Sequence, residues 1–240
     1  MPRQGVRRAM VALLAALLAA CGGGGGDASP AVVAPPAVAG ALNDDTAYSS
    51  AGGASLATST ESAALTSHTL ALGATHVAYR AQAGHLDARD PLSGATKASM
   101  FYVAYTVDGA AAARPLVFFF NGGPGSATIW LHLGSFAPRR VVTHAPATAV
   151  PLPFQMVDNA ESLIDVADLV FVDAVGTGYS QAVAPYANQT FWSVDADAAL
   201  MRDFIARYVA VHQRAASPTF VLGESYGTTR RAGGRRRSGR

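Results

Sequence analysis

Cysteine is almost missing from the sequence: among 240 residues there is one, Cys21. A single thiol excludes a disulfide within the chain. Charge is sparse as well, at 14% of residues, and the formal net charge of +2 misleads. Eight arginines sit at the two ends: Arg3, Arg7 and Arg8, then Arg231, Arg235, Arg236, Arg237 and Arg240. Without them, ten basic residues face sixteen acidic ones, a net of −6. The body is therefore mildly acidic, and the pI of 8.9 is no argument for a nucleic-acid partner. No apolar run approaches the roughly 20 residues a membrane span needs. Neither a G-x-x-x-x-G-K loop nor a G-x-G-x-x-G opening a helix is present, so no phosphate-cradling signature exists. Finally, the chain has no Asp, Glu or His after Ser225, and all six histidines precede it.

What is present begins with a positive stretch, an apolar run from Ala9 to Ala20, and then Cys21. That order reads as a secretory signal over residues 1–20. Leu18-Ala19-Ala20-Cys21 resembles a bacterial lipobox, with Cys21 as the lipidated first residue. Acylation there would leave no thiol for a nucleophile or a metal. Gly22 after the cysteine favours an outer-membrane or periplasmic lipoprotein. Residues 21–65 are rich in Gly, Ala, Pro, Ser and Thr and read as a flexible tether.

From about residue 66 the texture changes. THVAYRAQAG and ASMFYVAYTV alternate as half-buried strands do, with a turn at Asp90-Pro91 and Gly94 between them. Leu116–Phe120 is an unbroken apolar run, suited to a strand covered on both faces. Leu169–Val172 and Phe220–Leu222 repeat the pattern. Between those two, Ser193 is a candidate N-cap, followed by Asp195 and Asp197 where the helix dipole favours them. Leu200, Phe204, Tyr208 and Val211 fall at helical spacing. Strand, helix, strand predicts an α/β fold with a parallel sheet. Residues 125–165 show no clear period and read as loop and short helix.

Two motifs stand at strand ends. Gly223-Glu224-Ser225-Tyr226-Gly227 is G-x-S-x-G, the pattern of a serine on a tight strand-to-helix elbow. Asn121-Gly122-Gly123-Pro124-Gly125 follows the Leu116–Phe120 strand, where a glycine loop can aim amides at a developing oxyanion. Together with VDAVGTGYS, these residues resemble the serine carboxypeptidases, the S10 peptidase family of α/β-hydrolases.

The resemblance covers about residues 68–229 and carries several implications. The fold would be the N-terminal part of an α/β-hydrolase, cut just after the nucleophile elbow. The activity would be release of C-terminal amino acids through an acyl-enzyme on Ser225, without cofactor or metal. Oxyanion-hole amides would come from Gly123 and Tyr226. Asn121, the Gly122 amide and Glu224 would hold the terminal carboxylate of a peptide. Glu224 would then have to be protonated, favouring acidic pH. Asp173, Gly176, Gly178, Tyr179 and Ser180 would shape the site.

The chain departs from the family at Ser126, where a cysteine is usual, and at Ala174, where proline is. His132 stands in place of a family glutamate that shares a proton with the elbow glutamate, although a structural role suits it better. His212 reads as a C-terminal helix cation or a surface residue. The triad acid and base would follow the elbow, and residues 230–240, with six arginines, do not supply them. That tail reads as a frameshift or premature end, and the chain alone as inactive. An esterase or aminopeptidase of the same fold, and a non-catalytic lipoprotein, are the alternatives.

Overall fold

The computed structural model describes residues 37–109, 113–143 and 152–228, all within one compact unit, Val33–Arg240. Cys21, His144 and the arginine-rich tail lie outside the described residues.

A mixed sheet carries the fold. Its strands are β1 (Ala37–Ala39), β2 (Ser62–Leu72), β3 (Thr75–Arg89), β4 (Thr96–Val107), β5 (Leu116–Phe120), β8 (Asp168–Val172) and β10 (Thr219–Gly223), with short β9 (Gln181–Ala182) beside β4. The order is β1-β2-β3-β4-β8-β5-β10. β5 pairs parallel with both β8 and β10, whereas β2, β3, β4 and β8 pair antiparallel in succession. The parallel sheet expected from the sequence is thus confined to its site-bearing end and to β1 with β2. Two-residue periodicity in β3 and β4 suits the antiparallel half, which is more exposed.

The unbroken apolar strands are sandwiched as their composition requires. Phe118, Val170 and Val172 face Leu200, Met201, Phe204 and Tyr208 of the helix α2 (Val194–Val211). Phe119, Leu169 and Phe171 face the other way, onto Leu131, Ala137 and Ile164. Phe119 stacks on Phe171 at 4.5 Å between ring centroids. Ser193 caps α2, accepting from the Ala196 amide, with Asp195 and Asp197 in the first turn as expected. The β3–β4 turn closes on Asp90, whose carboxylate accepts from the Leu92 and Ser93 amides. The Ser93 bond and Lys97 hold that carboxyl well below its usual range.

Two expectations need correction. The tether does not run to residue 65: β2 starts at Ser62, and residues 48–56 lie along the body. That segment has little bulk to bury. Its backbone is held instead by polar side chains of the body, which apolar patterning cannot reveal. Asn188 Nδ2 donates to the carbonyls of Ser49 and Ala51, and Gln181 Oε1 accepts from the Ser49 amide. Leu56 exchanges backbone bonds with Ala182 and Ala184. The 125–165 region, expected as loop and short helix, holds the turn α1 (Ile129–Leu131) running into a π-turn at His132–Phe136. It also holds an unexpected antiparallel pair, β6 (Arg139–Val141) with β7 (Met156–Asp158).

Candidate active site

Register builds the site. β10 runs beside β5 with Gly223 opposite Phe120, so both strands end level and Asn121 and Glu224 emerge side by side. The Glu224 amide still donates to the Phe120 carbonyl at 3.2 Å. Immediately afterwards the chain turns: Gly227 N–H donates to the Glu224 carbonyl at 2.8 Å, and Thr228 N–H to that of Ser225 at 3.0 Å. Ser225 at the tip has φ 51°, a left-handed conformation that a serine adopts at a cost of roughly 1–3 kcal/mol. Its side chain is on the exposed part of the elbow. Gly227 is required there because a methyl group would run into the Phe120 carbonyl.

The glycine loop lies directly on this elbow. A Cβ on Gly122 would stand 2.6 Å from the Glu224 carbonyl, 2.7 Å from the Tyr226 nitrogen and 2.9 Å from Ser225 Cβ. Only glycine lets the two backbones meet so closely. Asn121 is buried, 4% exposed, and its orientation is set by its Oδ1 accepting from the Leu131 amide at 3.0 Å. Its Nδ2 then faces Glu224 Oε2 at 3.5 Å. Thr128 pins the loop from behind. Its hydroxyl accepts from the Asn121 amide and donates to the Val172 carbonyl, and its own amide donates to Asp173 Oδ1 at 2.7 Å. Burial pushes the Asp173 carboxyl up to about 6, although bonds from Thr128 and Tyr179 act against the rise.

A cleft of about 480 Å³ opens beside the elbow. Pro124 and Gly125 of the glycine loop, Val175 and Thr177 of the loop after β8, Trp192, Asp197 and Tyr226 line it. A second hollow, about 500 Å³, lies behind Thr128 between Phe101, His132, Phe171 and Tyr179. No group of three or more His, Cys, Asp or Glu among the described residues is disposed to hold a metal ion.

Four of the described histidines, His68, His85, His132 and His212, make their contacts away from the elbow. His132 Nε2 meets the Tyr105 hydroxyl at 2.7 Å, and burial lowers its pKa to about 4. Its hydrogen-bond partner is thus the tyrosine and not Glu224, in keeping with a structural role. His85 bonds the Tyr179 carbonyl at 3.0 Å, and His68 bonds Thr66. His212 corrects the sequence reading. It caps α2 but packs on Tyr208, with ring centroids 4.1 Å apart. Burial, then the Arg214 charge, lowers its pKa to about 4. It is therefore neutral at neutral pH and cannot serve as a helix-end cation.

The fold gathers Asn121, Gly122, Glu224, Ser225 and Tyr226 at one point, with Gly123 next in the loop. Asp173 supports that point through Thr128. Sequence reasoning missed Thr128 and Trp192, since neither belongs to a motif and only the folded chain brings them to the loop and the cleft.

No curated protein matches the chain. The family described as serine carboxypeptidase matches it over residues 73–229, well over half its length and spanning both loops and the elbow. The chain belongs to the serine carboxypeptidase family.

Proposed function

We propose that this protein supplies the nucleophile and carboxylate clamp of a serine carboxypeptidase acting on peptides with a free C-terminus. The observation that carries the reading is the seating of Gly122 on the elbow, which brings the Asn121–Glu224 pair beside Ser225. Ser225 Oγ would attack the carbonyl carbon of the last peptide bond, and the oxyanion would be met by the Gly123 and Tyr226 amides. The C–N bond then breaks, the leaving amine takes a proton, and water later hydrolyses the acyl-serine. Asn121, the Gly122 amide and Glu224 would hold the terminal carboxylate of the peptide.

A base must accept the Ser225 proton. No Asp, Glu or His follows Ser225 in these 240 residues; His68, His85 and His132 are hydrogen-bonded elsewhere, and the His212 ring packs on Tyr208 at the end of α2. We therefore expect the chain alone to release no amino acid from acetyl-Phe-Phe. Release that disappears in Ser225→Ala would refute that expectation. The nucleophile itself is tested with N-acetylphenylalanine p-nitrophenyl ester and added imidazole as an external base. Peptide mapping should find one acyl group, on Ser225, and none there in Ser225→Ala. Acylation spread over other residues, unaffected by that substitution, would sink the assignment.

The start of the sequence supports export and anchoring to the outer membrane through lipid on Cys21. Metabolic labelling with a radioactive fatty acid should mark the protein and fail to mark Cys21→Ser. Equal labelling of both would remove the anchor from the proposal.

A further inference from the structure

The cleft beside Ser225 has a wall that neither the motifs nor the family match assigns. Trp192 is 52% exposed, a large apolar side chain on the surface, and it lines the cleft together with Pro124 and Tyr226. Its place in the cleft, next to Val175 and Phe191, sets it apart from the other exposed apolar side chains. This one is also held from both sides. A Cβ on Gly176 would stand 3.3 Å from its Nε1, and one on Gly52 would stand 3.0 Å from its Cη2.

Gly52 belongs to the segment lying along the body, and that segment is tied to the turn that carries the indole. The Gln189 amide donates to the Gly52 carbonyl at 2.9 Å, and the Asn188 amide to that of Ala54 at 3.0 Å. Asn188, fully buried, spends its side-chain amide on Ser49 and Ala51. Ser50 of the same segment lines the cleft as well. The N-terminal segment is thus part of the site: it approaches the Cη2 edge of an indole that lines the cleft.

We propose that Trp192 is a specificity-determining residue of the carboxypeptidase site, selecting peptides with a large apolar side chain, aromatic above all, next to the scissile bond. The proposal rests on the reading of the site as a peptide cleft. A preorganised aromatic face, with Val175 and Phe191 beside it, gains from covering by an aromatic side chain, and a methyl group could not cover it. Asp197 lines the same cleft and is the competing determinant, since a carboxylate would favour a basic side chain.

The test uses the full chain carrying Trp130→Phe, which leaves Trp192 as the only tryptophan. Acetyl-Ala-Phe, acetyl-Phe-Ala, acetyl-Ala-Ala and acetyl-Ala-Lys are titrated, each as the free acid and as the amide. Binding is read by calorimetry and by Trp192 emission. One of the phenylalanine peptides should bind at least about tenfold tighter than acetyl-Ala-Ala and change the emission saturably. Trp192→Ala should abolish the preference. Gly52→Ala, a change outside the cleft, should shift the emission of the free protein and weaken the preference, with the unfolding midpoint recorded as a control on folding. Equal affinity for phenylalanine and alanine peptides would overturn the proposal, as would a preference that survives in Trp192→Ala. Tighter binding of acetyl-Ala-Lys would overturn it in favour of Asp197. The acid and amide arms report separately on the carboxylate clamp. A phenylalanine preference shared by acids and amides keeps Trp192 while removing the clamp.

Discussion

At Gly122 a single hydrogen atom decides whether two loops can form one site. Any side chain there must displace the Glu224 carbonyl, the Tyr226 nitrogen or Ser225 itself. Gly122→Ala should therefore lower stability by about 1–3 kcal/mol, the usual range for overpacking, and abolish the acylation of Ser225. Gly134→Ala is the control, because the nearest atom to its added methyl group is 3.9 Å away. Denaturant unfolding and peptide mapping of both variants check the contrast. If Gly122→Ala acylates as readily as the unsubstituted chain, the loop and elbow do not act together. Much of this was legible in the residues themselves. The glycines of G-x-S-x-G and N-G-G-P-G mark places where backbones approach closely, and the motif order put them at neighbouring strand ends. Thr128 and Trp192 were not legible. Their importance comes from partners 45 or more positions away (Thr128 and Asp173) or from another loop entirely (Trp192 and Gly52).

Among the elements, β8 joins the site to the far end of the sheet through its first residue. Asp168 is 2% exposed and accepts from Arg114 Nε at 3.0 Å, Arg214 Nη1 at 2.6 Å and the Val107 amide at 3.1 Å. It ties the end of β4, the entry to β5 and the link from α2 to β10. Removing one partner of a buried ionic group strands the others. Asp168→Ala should cost about 3–5 kcal/mol, seen as a lower urea midpoint, although the residue lies at the opposite end of β8 from the site. A loss under 1 kcal/mol would show that the arginines reach solvent without penalty. Strands β5, β8 and β10 and helix α2 were readable, because continuous apolar runs and a capped 3.6-residue period have few other solutions. β2 and the segment before it were not. Ala, Ser, Thr and Gly carry little hydrophobic signal, and what holds them is Asn188, Gln181 and the edge of β3.

For the molecule as a whole, burial of histidines sets the response to acid. His132 and His212 titrate near 4 in the fold, and burial lowers His85 as well, whereas an unfolded histidine titrates at about 6.5. Between those values the unfolded chain binds more protons, so stability is full above about pH 6.5 and falls as pH drops toward 4. Asp173 works in the opposite sense. Its folded value near 6 lies above that of an unfolded carboxyl, so proton uptake there favours the fold over part of the same window. The histidines outnumber it, and the net loss between pH 7 and pH 4.5 should be on the order of 3 kcal/mol. Urea midpoints across that range should show Asp173→Asn steepening the loss and His212→Phe flattening it. A fold whose stability does not change with pH over this range would contradict the buried, neutral histidines.

The most direct test of the site concerns the clamp that separates a carboxypeptidase from other hydrolases of this fold. Calorimetry should compare acetyl-Phe-Phe with its C-terminal amide on the unsubstituted chain, on Ser225→Ala and on Asn121→Ala. The free acid should bind at least about tenfold tighter than the amide, as loss of a charged hydrogen-bonding partner implies. That preference should persist in Ser225→Ala and vanish in Asn121→Ala. Equal affinities for acid and amide on the unsubstituted chain would contradict the assignment of Asn121, Gly122 and Glu224 to a peptide's terminal carboxylate.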